Sequence, residues 1–307
     1  MSNFDLLIGK IEILHTEFFT GMVAPHDRFL LRVDSGRVVM IRLGGSTGIR
    51  TIAKCKMSTS AYPQASAERA QELVSNYLRI YNSVQEVAKL NSSKPVRLIA
   101  VSKLKPSSDI MALYNNGVRH FGENYVQELV AKAHELPKDI CWHFIGSLQS
   151  GKVKDLGKGI ENIWAIETID SLKKCKKLDS VRKDTGFDKI NVYLQINTSN
   201  EEQKSGYSCE DLSELFETVE FLKSSECKAL ELKGLMTIGS FKVSTSNDEK
   251  NADFDVLVNI KKIVDEKFNT SLELSMGMSN DYQQAIKQGS TNVRIGSNIF
   301  GARPPKN

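Results

Sequence analysis

The sequence lacks the features that would place it in several large functional classes. No apolar run approaches the ~20 residues of a membrane-spanning helix. The five cysteines (Cys55, Cys141, Cys175, Cys209 and Cys227) are odd in number and include no C-x-x-C pair. That pattern argues against a disulfide framework or a zinc site and suits reduced thiols. The five histidines are scattered without H-x-x-x-H spacing, no paired carboxylates stand out, and no metal is expected. A net charge of +4 over 307 residues is too mild to argue for nucleic acid or an anionic membrane. Lys173, Lys174, Lys176 and Lys177 have no aromatic platform beside them and read as the solvated face of a helix. The expectation is a cytoplasmic protein, with a mitochondrial pool compatible.

What the chain does have is a regular alternation of strand and helix signals from residue 96 onward. Apolar runs at 96–101, 118–122, 140–145, 160–166, 190–196, 230–238, 272–276 and 293–300 read as eight buried strands. Helical patterns fill the gaps at 107–116, 124–136, 151–156, 171–182, 210–223, 254–268 and 281–288. Eight strands with helical crossovers spell a parallel (β/α)8 TIM barrel, and residues 57–307 match the ~250 residues typical of it. A doubly wound open sheet is the alternative, but no G-x-G-x-x-G follows an early strand to support it. Apolar positions from Ala70 to Ala88 add an N-terminal helix ahead of the first strand. Residues 1–56 differ in character. They are too acidic for an organelle transit peptide and lack the order of a secretory signal. Met57-Ser58-Thr59-Ser60 reads like a fresh start, so the expectation is an extension, or a gene-model artefact, over 1–56 and one barrel over 57–307.

Barrel chemistry sits at the C-terminal ends of strands. Those ends supply Lys103, Glu123, Asn124, His143, Ser147, Thr168, Asn197, Thr198, Thr237, 275–279 and 294–297: a polar ring with one lysine. Lys103 either snorkels into water or acts as a desolvated Schiff-base nucleophile. Strands seven and eight end in S-M-G-M-S and R-I-G-S, and barrel phosphate sites are frequently built there. Gly277 and Gly296 let backbone N–H groups approach an anion, and Ser279 and Ser297 add hydroxyls; Ser279 also stands where a helix N-cap belongs. A lysine facing a phosphate cup implies a phosphorylated carbonyl compound. Either a sugar-phosphate lyase or a pyridoxal 5'-phosphate (PLP) protein would fit.

The strings AVSKLKP, HFGENYVQE, WHFIGSLQ, GLMTIGS, LSMGMSNDY and VRIGSNIFGAR together closely resemble the pyridoxal phosphate homeostasis protein family over about residues 68–305. That family is similar to the isolated N-terminal barrel of alanine racemase. The resemblance implies that Lys103 forms the internal aldimine with PLP. It implies that Ser279 with the Met278 backbone, Gly296 and Ser297 hold the phosphate. Arg294 would face the pyridine nitrogen, and Asn124 and His143 would line the pocket near the lysine. Many members carry Thr where this chain has Ser297; both supply a hydroxyl. Arginine stays protonated, so the ring nitrogen would stay neutral and the ring would be a weaker electron sink. The resembling racemases use an acid/base from a second, C-terminal domain, and only seven residues follow Phe300 here. Tyr125, Tyr193, Tyr207 and Tyr282 could substitute, though their spacing singles none out. The expected role is therefore a monomeric PLP carrier that regulates vitamin B6 supply and serves apo-enzymes without catalysis. Amino-acid racemization is the alternative, and sugar-phosphate cleavage a more distant one. The polar stretch 200–204 after strand five is expected to form a mobile loop over the mouth.

Overall fold

Arg97-Leu-Ile-Ala-Val101 is the first barrel strand, and its last four residues are buried, as a strand covered on both faces requires. In the computed structural model, residues 62–91, 95–201, 203–240, 243 and 250–302 are described, together with the backbone of three earlier strands. The chain divides into two compact units, residues 1–61 and 62–307. In the first, β1 (Arg28–Asp34), β2 (Arg37–Leu43) and β3 (Arg50–Lys56) form an antiparallel sheet in that order. The proposed start at Met57 lies outside the described residues.

The second unit opens with helix α1 (Ala67–Asn91), then alternates through β4 (Arg97–Val101), α2 (Ser107–Tyr114), β5 (His120–Glu123), α3 (Val126–Glu135) and β6 (Cys141–Phe144). It continues with α4 (Val153–Gly159), β7 (Ile163–Ile169), α5 (Leu172–Arg182), β8 (Ile190–Asn197), the two-residue β9 (Tyr207–Ser208) and α6 (Ser213–Lys223). After β10 (Leu230–Met236) come α7 (Ala252–Phe268), β11 (Glu273–Ser275), α8 (Tyr282–Lys287), β12 (Asn292–Ile295) and α9 (Ser297–Phe300). The parallel strands run in the order β10-β11-β12-β4-β5-β6-β7-β8, and a β8–β10 pairing closes the ring. This is the expected eight-stranded (β/α)8 barrel.

Helix α1 is the expected addition. It buries Leu73, Ile80, Val84 and Ala88, spaced by seven, four and four, as one stripe of a 3.6-residue period. Arg69 and Asn76 on it donate to the carbonyls of Phe300 and Ile299, so α1 fixes the end of the barrel. Those two bonds also expose a difference from the sequence reading. Strand eight does not run to Phe300; it stops at Ile295, and Ile299 and Phe300 return their N–H groups to Gly296 O. The apolar pair Ile299–Phe300 is buried as a helical turn, which a short apolar run does not distinguish from a strand. The second strand likewise begins at His120 and not at Val118, and the fourth helix spans Val153–Gly159.

Candidate functional site

The strand ends and the loops after them enclose a cavity of about 540 Å3, within the usual range for a small-molecule site. Its apolar lining is Val101, Ile145, Met236, Ile238 and Phe300. Lys103, Asn124, Arg294, Gly296, Ser297 and the loop residues Met278 to Asp281 bring polar groups to the same space. Seven of the eight residues expected at the site therefore line one cavity. Lys105 and Lys204 join them, adding two cations that the sequence reading did not select.

Arg294 enters from β12 and is almost completely buried. Its Nη1 donates to Ser275 Oγ and its Nη2 to Thr237 O at 2.7 Å, so the guanidinium is fixed before any ligand arrives. Burial pushes its pKa below the ordinary arginine value, and Glu167, with Oε2 at 4.0 Å, pulls the other way. A guanidinium starts so high that it remains cationic here.

His143 does not line this cavity. It is wholly buried, donating from Nδ1 to Glu167 Oε1 at 2.6 Å and accepting at Nε2 from His120 Nδ1 at 2.9 Å. Burial pushes both imidazoles down, His120 to about 3, so both are neutral at pH 7, with the tautomers that this hydrogen-bond order requires. Burial would raise Glu167, but His143, Arg294 and Ser275 outweigh it and hold the carboxyl below its ordinary value. Ser275 Oγ and Asn292 Nδ2 also donate to Glu167. His143 thus belongs to a polar spine through the barrel interior that ends on Arg294. Its strand position gives its face but not its depth, which is why the sequence reading placed it at the mouth.

The loop after β11 departs from expectation in a second way. Ser279 is not the cap of helix α8; Asp281 occupies the N-cap position. Asp281 Oδ1 accepts from the Met278 N–H at 2.6 Å, so the backbone donor expected for a phosphate is engaged within the loop. Gly277 makes this turn possible: its φ is +96°, and an added Cβ would sit 2.5 Å from Ala285 Cβ. Asn298 Nδ2 donates to Ser279 O, tying the loops after β11 and β12 into one wall.

The donor set fits a phosphorylated aldehyde such as PLP. Asn124 Oδ1 is buried without a hydrogen-bond partner, as is Asp281 Oδ2, and the former awaits a donor from a ligand. A Cβ added at Gly296 would sit 3.3 Å from Val101 O, so the chain leaving β12 passes close to β4. From the stretch after β8, Lys204 reaches the cavity, its Nζ bonding Glu201 Oε1, Ser199 Oγ and Gly239 O. Among the described residues no cluster suited to a metal ion occurs, and no described helix is long and apolar enough to cross a membrane.

Residues 76–304 match the family described as alanine racemase, N-terminal domain. The pyridoxal phosphate homeostasis protein of Schizosaccharomyces pombe is 45% identical over 225 residues, covering 73% of this chain and 90% of that protein. The structure of PipY from Synechococcus elongatus with PLP bound has a TM-score of 0.58 and 32% identity, covering 71% of this chain and 99% of that one. An alanine racemase of Clostridium difficile shares the fold at 14% identity, with a TM-score of 0.59 over 78% of this chain and 58% of that one. A barrel of this type with a lysine, an arginine and two tied loops at its mouth, matched to that extent, has one placement: the chain belongs to the pyridoxal phosphate homeostasis protein family.

Proposed function

We propose that this protein binds pyridoxal 5'-phosphate and acts in vitamin B6 homeostasis as a carrier, holding the cofactor covalently through Lys103. The observation that carries the reading is the meeting of Lys103, Arg294 and the two tied loops around one cavity. PLP supplies an aldehyde that condenses reversibly with a primary amine, releasing one water. Ser279, Gly296 and Ser297 would hold the phosphate, Arg294 would partner the ring nitrogen, and Asn124 would accept from the ring substituents. A cationic arginine opposite that nitrogen keeps the ring a poor electron sink, which favours holding the cofactor over processing amino acids. The same reading makes the protein a cytoplasmic monomer, with a mitochondrial pool compatible, that passes PLP to apo-enzymes. Sedimentation of the loaded protein would test the monomeric state, transfer to an apo-transaminase the delivery, and subcellular fractionation the location.

The primary test is a visible spectrum of wild type and Lys103→Ala after incubation with PLP, before and after borohydride. Wild type is expected to turn yellow, and reduction to fix the cofactor mass on the peptide bearing Lys103. Lys103→Ala should stay without the band while still binding PLP more weakly. A colourless wild type would overturn the reading.

A further inference from the structure

The residues on either side of Lys103 are gripped by three charged side chains that the carrier reading does not use. Ser102 Oγ donates to Glu123 Oε1 at 2.7 Å, and Ser102 O accepts from Lys132 Nζ at 2.9 Å. On the other side, the Leu104 N–H donates to Glu128 Oε1 at 2.7 Å. Lys132 Nζ links the two carboxylates, lying 2.7 Å from Glu123 Oε1 and 2.7 Å from Glu128 Oε1.

Two further features indicate that this grip has a purpose beyond stability. Leu104 adopts φ +60°, the left-handed region, at a population cost of roughly tenfold or more for an L-residue. The residue is 46% exposed, so packing does not hold it there; two hydrogen bonds do, the Lys105 N–H to Ser102 O at 3.1 Å closing the turn and the Leu104 N–H to Glu128. Glu123 is wholly buried, and one of its oxygens, Oε2, has no partner. Burial pushes that carboxyl up to about 7 even with Lys132 opposing, so at neutral pH and above its charge works against the fold. A strained residue and a costly charge thus converge on the two neighbours of the same lysine.

We infer that Glu123, Lys132 and Glu128 form a clamp that fixes the backbone at 102–104 and so aims the Lys103 amine at the aldehyde of a bound cofactor. The three are positioning residues, and the inference rests on the carrier reading. In the step they prepare, the amine nitrogen attacks the aldehyde carbon and a carbon–nitrogen double bond forms. The aldehyde oxygen leaves as water with both amine protons, and nothing is oxidised or reduced. The sequence carries the clamp in H-F-G-E-N-Y-V-Q-E-L-V-A-K: Glu123 ends β5, and Glu128 and Lys132 lie four apart on one face of α3.

The test uses the full chain with Glu128→Ala, which removes the acceptor for Leu104 N–H and leaves Lys132 paired with Glu123. Two probes are titrated: PLP, and pyridoxamine 5'-phosphate, which keeps ring and phosphate but has no aldehyde to condense. The clamp predicts that condensation, read from the yellow band and the borohydride-fixed fraction on Lys103, falls about tenfold, the worth of one left-handed residue. Pyridoxamine 5'-phosphate should bind within about twofold of wild type. Adding Leu104→Gly should recover most of the loss, because glycine takes the left-handed turn without a clamp. An unchanged condensation in Glu128→Ala would overturn the clamp. So would equal weakening of both probes, or a loss that Leu104→Gly does not recover. A wild-type protein that never turns yellow would instead remove the reading on which the clamp rests.

Discussion

At the scale of single residues, the cavity is a balance of charges around Lys103. Arg294 is a fixed cation, while Asp281 places a carboxylate in the loop where a phosphate is expected to bind and occupies the Met278 N–H. A dianion entering this loop must compete with that carboxylate, which weakens binding and eases release, as suits a carrier. Asp281→Asn keeps an oxygen that can accept from Met278 and removes the charge. It is therefore expected to tighten binding of PLP, and of inorganic phosphate, by about five- to tenfold at low salt, with a smaller gain as salt rises. Isothermal titration at two ionic strengths checks this; weaker binding by the variant would show that Asp281 shapes the loop more than it repels the ligand.

Elements decide whether those charges meet. The loop after β11 turns on Gly277, whose φ of +96° is left-handed and whose missing Cβ leaves room for Ala285. Gly277→Ala combines backbone strain with a core clash and should cost on the order of 2–4 kcal/mol, measured by urea unfolding, together with loss of PLP binding. The β5–α3 element has its own pH signature. Glu123 is shifted up, to about 7, from an ordinary 4.5, mainly by burial. Between those values the folded state binds more protons than the unfolded one, so its contribution to stability is present below about 4.5 and is lost as pH rises through about 7. Glu123→Gln should flatten this part of the stability profile relative to wild type; parallel profiles across pH 4.5–7 would contradict the assignment.

For the whole molecule, every described residue that lines the cavity lies within the unit 62–307. Removing residues 1–56 is accordingly expected to leave the yellow band and the affinity for PLP unchanged. A truncated protein that folds, by circular dichroism, but no longer binds the cofactor would give the N-terminal unit a part in the site. Closure of the barrel through the β8–β10 pairing matters for the same reason. It brings residues as distant in sequence as Lys103, Lys204 and Arg294 into one cavity, and it buries the spine from His120 to Arg294.

The sequence by itself determined the architecture and most of the site, because both follow from short-range rules. Apolar runs separated by helical patterns demand a buried parallel sheet, and strand ends followed by lysine, glycine and serine select the side chains at its mouth. That logic reached Lys103, Asn124, Ser279, Arg294, Gly296 and Ser297, all of which line the cavity. Depth and pairing belonged to the tertiary structure. His143 lies below the mouth because Glu167 and His120, each more than 20 residues away, hold it there. Asp281, two residues after Ser279, takes the N-cap position, and its side chain bonds back to the Met278 N–H in the loop, which spacing alone leaves open. Lys105, Lys204 and the Glu123–Lys132 pair were legible as charges and not as partners. Charge is a property of one residue, whereas an ion pair depends on which strands the closed barrel brings side by side.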